Sequence, residues 1–99
     1  MRSVLRYISR VIQSWKGKEA EAILRGEAPK GVSADIARAA RRRLAQLDKA
    51  LSVEDMRVPP GNRLHKVGAA WSISVNMQYR ITFVWGDAGP EEVWFGDYH

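Results

Sequence analysis

The sequence lacks cysteine and has only two histidines among its 99 residues. The absence of cysteine excludes a disulfide scaffold, a thiol nucleophile and any Cys-ligated zinc or iron–sulfur site. Two histidines are too few for a three-histidine catalytic zinc site, so no metal or other cofactor is expected. No apolar run approaches the ~18 residues of a membrane span, and Arg2, Arg6 and Arg10 interrupt any signal-peptide core. We therefore expect one cytoplasmic domain with no membrane contact.

Positive charge is concentrated in the first half of the chain. Residues 1–50 carry 12 Lys and Arg against five Asp and Glu, whereas residues 51–99 carry four against six. The formal net charge is +5. A small basic protein of this kind is typical of partners that are polyanions, most often nucleic acid. The alternative is that the charge serves only solubility.

One amphipathic helix stands out at residues 34–51, where apolar side chains recur every three or four positions. These apolar positions are Ile36, Ala40, Leu44, Leu47 and Leu51. Ser33 has the character of an N-cap. Arg38 and Arg42 lie together on the opposite face, about 160–240° from the start of the apolar stripe at 100° per residue. This basic face either contacts backbone phosphates or is simply solvated.

The second half of the chain changes to a two-residue period. Residues 71–76 and 80–85 alternate apolar and polar side chains, which predicts two strands with one buried face, joined as a hairpin. Further strands are predicted at residues 63–67 and 92–95, a short helix at 19–26, and a capping box with a helical turn at 52–55. Residues 11–15 fit either a helix or a strand.

The tryptophans of the second half are expected to differ in role. Trp71 and Trp85 fall on the apolar positions of their strands, so we expect them in the core. Trp94 has the opposite parity to Val93 and Phe95, and we expect it to face a partner or a helix.

The titratable residues are compatible with RNA cleavage without a metal. In that reaction the ribose 2′-OH loses a proton, the leaving 5′-oxygen gains one, and charge on the phosphoryl oxygens is neutralised. Histidine suits the proton transfers, and arginine or lysine suits the phosphoryl charge. The candidates are His65, His99 and Arg80, with Tyr98 as a residue that can stack on a base. A lone histidine near a strand is nevertheless more often structural or merely exposed.

Four segments of the sequence resemble one protein family. They are Val58-Pro59-Pro60-Gly61-Asn62-Arg63-Leu64, Trp71-Ser72-Ile73-Ser74-Val75-Asn76, Tyr79-Arg80-Ile81-Thr82-Phe83 and the terminal Asp97-Tyr98-His99. Together they resemble the HigB-type plasmid-maintenance killer toxins of the RelE/ParE superfamily. The resemblance runs from about residue 11 to residue 99, which leaves residues 1–10 as an N-terminal extension of a single toxin domain.

The resemblance implies a fold and a function. The fold is an α+β, RelE-like microbial-RNase fold, in which two N-terminal helices pack on a small, mainly antiparallel sheet of four to five strands. The function is that of a type II toxin–antitoxin toxin, a ribosome-dependent endoribonuclease that cleaves translated mRNA in the A site. The implied partners are the ribosome, mRNA and a helix-turn-helix antitoxin of the HigA type, through which alone the toxin reaches operator DNA.

The resemblance also assigns roles to residues. It implies acid/base roles for His65, Asp97 and His99, an active-site contact for Tyr98, and binding of the scissile phosphate by Arg80. The further candidates for contacts with RNA phosphates are Arg63, Lys66, Arg38 and Arg42.

Two alternatives belong to other functional classes. A ParE-like toxin would bind a protein target such as DNA gyrase and would catalyse nothing. An inactive homologue would bind RNA or ribosomes without cleaving, because the segment from His65 to Trp71 is shorter than is usual in the family.

Overall fold

The computed structural model describes residues 11–97. The predicted N-terminal extension at residues 1–10, and the candidates Tyr98 and His99, lie outside the described residues. Within residues 11–97, two helices precede a small sheet, which confirms the predicted α+β class. The helices are α1 (Glu19–Leu24) and α2 (Ala34–Lys49). The strands are β1 (His65–Val67), β2 (Ala70–Ser74), β3 (Tyr79–Gly86) and β4 (Gly89–Asp97). Between helices and strands lie two 3₁₀ turns, Val53–Arg57 and Pro60–Asn62.

Helix α2 begins as its sequence predicts. The Ser33 hydroxyl accepts the backbone N–H of Ile36 at 3.2 Å, which satisfies one of the unpaired donors of the first turn. The buried positions of the helix are Ala37, Ala40, Leu44 and Leu47. They form the stripe that packs toward the sheet, so the period of the sequence and the packing of the helix agree.

The end of α2 corrects the prediction. The helix stops at Lys49, and Leu51 is 62% exposed rather than part of the apolar stripe. The cause is local capping, because the Asp55 carboxylate accepts the backbone N–H of Leu51 at 2.9 Å and the N–H of Ser52 at 3.4 Å. The predicted capping box is present and begins a new turn, so the chain leaves the helix before Leu51 can reach the core.

The sheet is antiparallel throughout, with its strands in sequence order from β1 to β4. The predicted hairpin between β2 and β3 is confirmed. Its turn is closed by the Asn76 side chain, whose Oδ1 accepts the backbone N–H groups of Gln78 at 2.8 Å and Tyr79 at 2.7 Å. The register of β3 and β4 shifts between Thr82 and Val84, which marks a bulge.

The segment before α1 runs alongside β4 in the parallel direction. Val93 accepts the N–H of Lys16 at 2.9 Å and donates its own N–H to Ser14 at 3.1 Å, and Trp15 forms a parallel bridge to Val93. Of the two predictions for residues 11–15, this extended pairing favours the strand. The chain then turns away at Gly17, whose φ of +81° suits glycine, and enters α1.

The two helices pack on one face of the sheet. The buried strand residues of this face are Ile73, Ile81, Phe83, Val93 and Phe95. Trp71 and Trp85 share the face but lie at the margin of the core, only half-buried. No helix within residues 11–97 is long and apolar enough to cross a membrane.

Candidate active site

The other face of the sheet carries mainly polar side chains, and we call it the polar face. Residues directly opposite each other in an antiparallel pair project to the same side, and successive residues alternate between sides. The strand registers therefore place on this face, among other positions, His65, Ser72, Ser74, Arg80, Thr82, Trp94 and Gly96. The sheet thus collects one basic side chain from β1 and one from β3 on the side away from the helices.

The centre of the polar face is a hydrogen bond between Arg80 and Ser72. The Arg80 Nε–H donates to the Ser72 Oγ at 2.9 Å. Arg80 is paired in register with Ser74, so its side chain crosses diagonally to reach Ser72. Ser72 is only 1% exposed. Since the guanidinium is planar, a bond at Nε restricts the direction in which the whole group faces.

The burial of Ser72 and Ser74 corrects the prediction of one buried face. Both lie on the polar face, yet they are only 1% and 9% exposed. The half-buried Arg80 contacts Ser72, and the Ser74 hydroxyl donates to the backbone carbonyl of Asn76 at 2.9 Å. Local polar contacts therefore cover these two serines and satisfy their hydroxyls.

His65 lies beside this pair. It is directly opposite Ser72 in the register of β1 and β2, and it is exposed. Its Nδ1 is 3.0 Å from the backbone carbonyl oxygen of Arg63. A carbonyl oxygen only accepts, so Nδ1 carries the hydrogen and the lone pair of the neutral ring is on Nε2. Arg63 has a φ of +50°, in the left-handed region, where it ends the preceding 3₁₀ turn.

Asp97 is placed differently from His65 and Arg80. It is paired with Tyr79 and so has the parity of the helix-covered face, at the very end of β4. Its Oδ2 accepts the side-chain N–H of Gln78 at 2.9 Å. The structure therefore brings His65 and Arg80 together through Ser72, and it places Asp97 at the end of the neighbouring strand.

The remaining basic candidates lie away from the polar face. Lys66 has the opposite parity to His65, and its Nζ lies 5.1 Å from the ring centre of Trp71, a cation–π contact. Arg38 and Arg42 are exposed on α2, on the side opposite the stripe that packs on the sheet. Arg38 also forms an ion pair with Asp35. The predicted exposure of this basic face is thus confirmed, but the structure does not bring it to His65 and Arg80.

Shifted pKa values occur on the helical side of the molecule. Burial and the neighbouring charge of Arg42 lower the pKa of Arg43, whose Nη1 donates to the carbonyl of Ala39 at 3.0 Å. The hydrogen bond that the Arg57 guanidinium donates to the Glu54 carboxylate, together with the charge of that carboxylate, raises the pKa of Arg57. Within residues 11–97, no three His, Asp or Glu side chains lie close enough together to hold a metal ion.

Sequence reasoning missed Ser72 as a member of the site. It named Arg80 and His65 from their motifs, but the contact between Ser72 and Arg80 depends on how β2 and β3 are aligned. The available signal was the pair of serines at the polar positions of residues 71–76, which become neighbours of Arg80 once the hairpin is assumed.

The chain matches known proteins over most of its length. Residues 13–99 match the sequence model of the HigB-like toxins, described as the RelE-like toxin of the type II toxin–antitoxin system HigB. Toxin HigB-1 of Vibrio cholerae serotype O1 is 46% identical over 50 residues, which are 46% of this chain and 53% of that protein. The chain therefore spans about half the length of the curated relative it matches. The family match and the α+β fold agree, and the chain belongs to the HigB-like family of RelE-like toxins of type II toxin–antitoxin systems.

Proposed function

We propose that this chain is a toxin that cleaves messenger RNA on the translating ribosome, by acid/base catalysis and without a metal. The observation that carries the proposal is the row formed by His65, Ser72 and Arg80 on the polar face. This row combines an imidazole with an available Nε2 and a guanidinium whose orientation is restricted before substrate arrives. Those are the two kinds of group that phosphodiester transfer to a 2′-oxygen requires.

In the proposed reaction the 2′-oxygen attacks the adjacent phosphorus. A bond forms between the 2′-oxygen and phosphorus as the bond from phosphorus to the 5′-oxygen breaks. The products are a 2′,3′-cyclic phosphate and a free 5′-hydroxyl. The His65 Nε2 takes the proton of the 2′-OH, since Nδ1 already donates to the Arg63 carbonyl. The proton for the 5′-oxygen comes from Asp97 or His99, with Tyr98 contacting the substrate.

Arg80 has the electrostatic role in this proposal. Negative charge builds on the non-bridging oxygens as the 2′-oxygen attacks, and a guanidinium pairs with two such oxygens at once. Removing one preoriented donor from a site of this kind costs about 10²–10³ in rate. Arg63 and Lys66, which flank His65 in sequence, and Arg38 and Arg42 on α2 are proposed to contact RNA phosphates away from the bond that breaks.

The partners follow from the family. We propose that a helix-turn-helix antitoxin of the HigA type neutralises the toxin, and that the pair reaches operator DNA through the antitoxin alone. Ribosomes and translated mRNA are the proposed targets, so the site of action is the cytoplasm. The basic charge of the chain favours such polyanionic targets.

The test compares two arginine variants in bacteria. Wild type, Arg80→Gln and the control Arg57→Gln are expressed inducibly, and primer extension maps the 5′ ends of a reporter message. Arg57 is exposed and ion-paired to Glu54 in the first 3₁₀ turn. Arg57→Gln is therefore the same substitution as Arg80→Gln, made at a position away from the polar face. A second reporter without a start codon serves as the untranslated control.

Growth arrest with new 5′ ends in the translated reporter is expected for wild type and Arg57→Gln, and neither effect for Arg80→Gln. Ends that also appear in the untranslated reporter would contradict dependence on the ribosome. Arrest with intact messages would favour a protein target, and no arrest with wild type would favour an inactive homologue.

A further inference from the structure

Trp94 lies on the polar face with its ring over a glycine. It is paired in register with Thr82 and is half-buried. A Cβ atom on Gly96 would lie 2.1 Å from Cζ2 and 2.4 Å from Cη2 of the indole. A Cβ on Gly17 would lie 3.9 Å from Cδ1, at the other end of the ring system. The indole therefore extends along the edge of β4 from Gly17 to Gly96, and only glycine at 96 permits this approach.

This position is next to the proposed phosphate-binding arginine. Gly96, which the indole covers, is paired directly with Arg80. Ser72 lies on the other side of Arg80, and His65 lies beyond it on β1. Adjacent strands are ~4.8 Å apart, so the row from His65 to the indole crosses three strand spacings, about 14 Å.

The indole also forms one wall of a groove. A groove of about 690 Å³ runs from Trp94 and Gly96 past α1 to the loop that precedes α2. Its basic side chains are Lys18, Arg25 and Lys30, and its acidic ones are Glu19 and Glu27. Arg25 pairs with Glu27 at 3.1 Å, whereas Lys18 and Lys30 form no ion pair with any residue between 11 and 97.

An indole ring beside a groove with lysine side chains has the chemistry of a binding site for unpaired RNA. Aromatic side chains hold single-stranded bases by stacking. Basic side chains nearby contact the phosphate backbone of the same strand. The volume lies within the ~300–1,000 Å³ of sites that bind small molecules. Stacking uses the flat aromatic face, which all four bases share. Such a site therefore tolerates different bases.

We propose that Trp94, supported by Gly96, is the stacking platform for the nucleobase next to the phosphate that Arg80 holds. The proposal rests on the proposed nuclease function, because it places the base relative to the scissile phosphate. Trp94 then positions substrate and takes no part in proton transfer. Lys18 and Lys30 line the groove into which, in this proposal, the RNA backbone continues.

The first test separates substrate affinity from chemistry. Trp94→Leu and Trp94→Phe are compared with the control Trp85→Leu, using purified toxin and mRNA-programmed ribosomes. Trp85 is also half-buried, but it lies on the helix-covered face against Phe83, with ring centres 6.5 Å apart. We expect Trp94→Leu to raise KM about 5- to 150-fold with little change in kcat, which corresponds to the ~1–3 kcal/mol of one base stack.

The conservative variant distinguishes stacking from a structural role. Trp94→Phe keeps an aromatic face, so it is expected to recover most of the affinity. Equal losses in Trp94→Phe and Trp94→Leu, or an equal KM increase in Trp85→Leu, would overturn the proposal.

The second test does not depend on cleavage. A 2′-O-methyl RNA trinucleotide, which has no attacking hydroxyl, is titrated into wild type while NMR follows the tryptophan indole N–H and arginine Nε–H signals. Inorganic phosphate is titrated in parallel. We expect the trinucleotide to shift the Trp94 and Arg80 signals, and phosphate to shift Arg80 alone.

The outcomes separate this site from the nuclease proposal. A shift of Arg80 without Trp94 in the trinucleotide titration overturns the base site and leaves the nuclease in place. A shift of Trp94 in a protein that leaves ribosome-bound mRNA intact supports the base site and overturns the nuclease. No shift of either signal at millimolar trinucleotide overturns the base site.

Discussion

Replacing Ser72 by alanine removes an acceptor that helps to orient Arg80. The Ser72 Oγ lies 2.9 Å from the Arg80 Nε, and Ser72 is 1% exposed, so little space is available for a water molecule to take its place. The guanidinium remains but loses the contact at its Nε. We therefore expect a loss of catalytic rate with the substrate-binding surface still present.

The size of the effect follows from two separate quantities. A hydrogen bond to a charged group contributes ~1.5–3 kcal/mol, and a half-buried arginine recovers part of this from solvent, so we expect a stability loss of about 1 kcal/mol. In a chain of this size, that lowers Tm by about 4–8 °C. Misplacing a catalytic group by about 1 Å costs up to ~10² in rate, so we expect kcat to fall roughly 10- to 100-fold.

The matched control is Ser74→Ala. Ser74 is on the same strand and the same face and is also buried, but its hydroxyl donates to the backbone carbonyl of Asn76 rather than contacting Arg80. We expect Ser74→Ala to lose comparable stability and keep kcat.

Steady-state cleavage on programmed ribosomes gives kcat, and NMR of the Arg80 Nε–H reports its hydrogen bond directly. Wild-type kcat in Ser72→Ala would refute the positioning role. An unchanged Arg80 Nε–H signal in that variant would refute the hydrogen bond itself.

Four other substitutions test separate parts of the structure. Gly96→Ala is expected to displace the Trp94 ring and to raise KM on programmed ribosomes, as is expected of Trp94→Leu, and an unchanged KM would contradict the close contact. Arg42→Gln is expected to weaken RNA binding without lowering kcat and to reduce the slope of log affinity against log salt by about 1; a fall in kcat instead would place Arg42 at the chemistry. Leu44→Ala, at a fully buried position, is expected to cost ~2–5 kcal/mol in urea unfolding. Leu51→Ala is expected to stay within about 0.5 kcal/mol, and a larger loss would contradict the observed end of α2.

The parts of the fold that were predicted from sequence depend on local interactions. Helix α2 has a regular apolar period and a serine N-cap, so its start and its buried face follow from neighbouring residues. The prediction of where α2 ends was wrong because two local signals compete at Leu51. The apolar period continues through this residue, but the Asp55 carboxylate binds its N–H and directs the chain into a new turn.

The parts of the site that were missed depend on long-range alignment. Motif resemblance identified Arg80 and His65, whose roles stay predictions. It could not identify Ser72, since the contact of Ser72 with Arg80 exists only in one register of β2 and β3. The parity of Trp94 correctly predicted that it lies on the face of the sheet opposite the buried Phe95. Its position over Gly96 required the structure.

The residue at position 72 is better explained by a role in orienting Arg80 than by a contribution to the stability of the fold. It occupies a nearly fully buried position, where a larger apolar side chain would add hydrophobic stabilisation. A serine at this position buries little apolar area. Its hydroxyl instead accepts a hydrogen bond from arginine, a residue type that is found mostly on protein surfaces. Positions that break the local rules of packing are expected where a protein orients reactive groups in advance. A guanidinium oriented before substrate binds avoids reorganisation during the reaction, which is the main source of electrostatic catalysis. A serine at this buried position is therefore what we expect if Arg80 holds the scissile phosphate, as proposed.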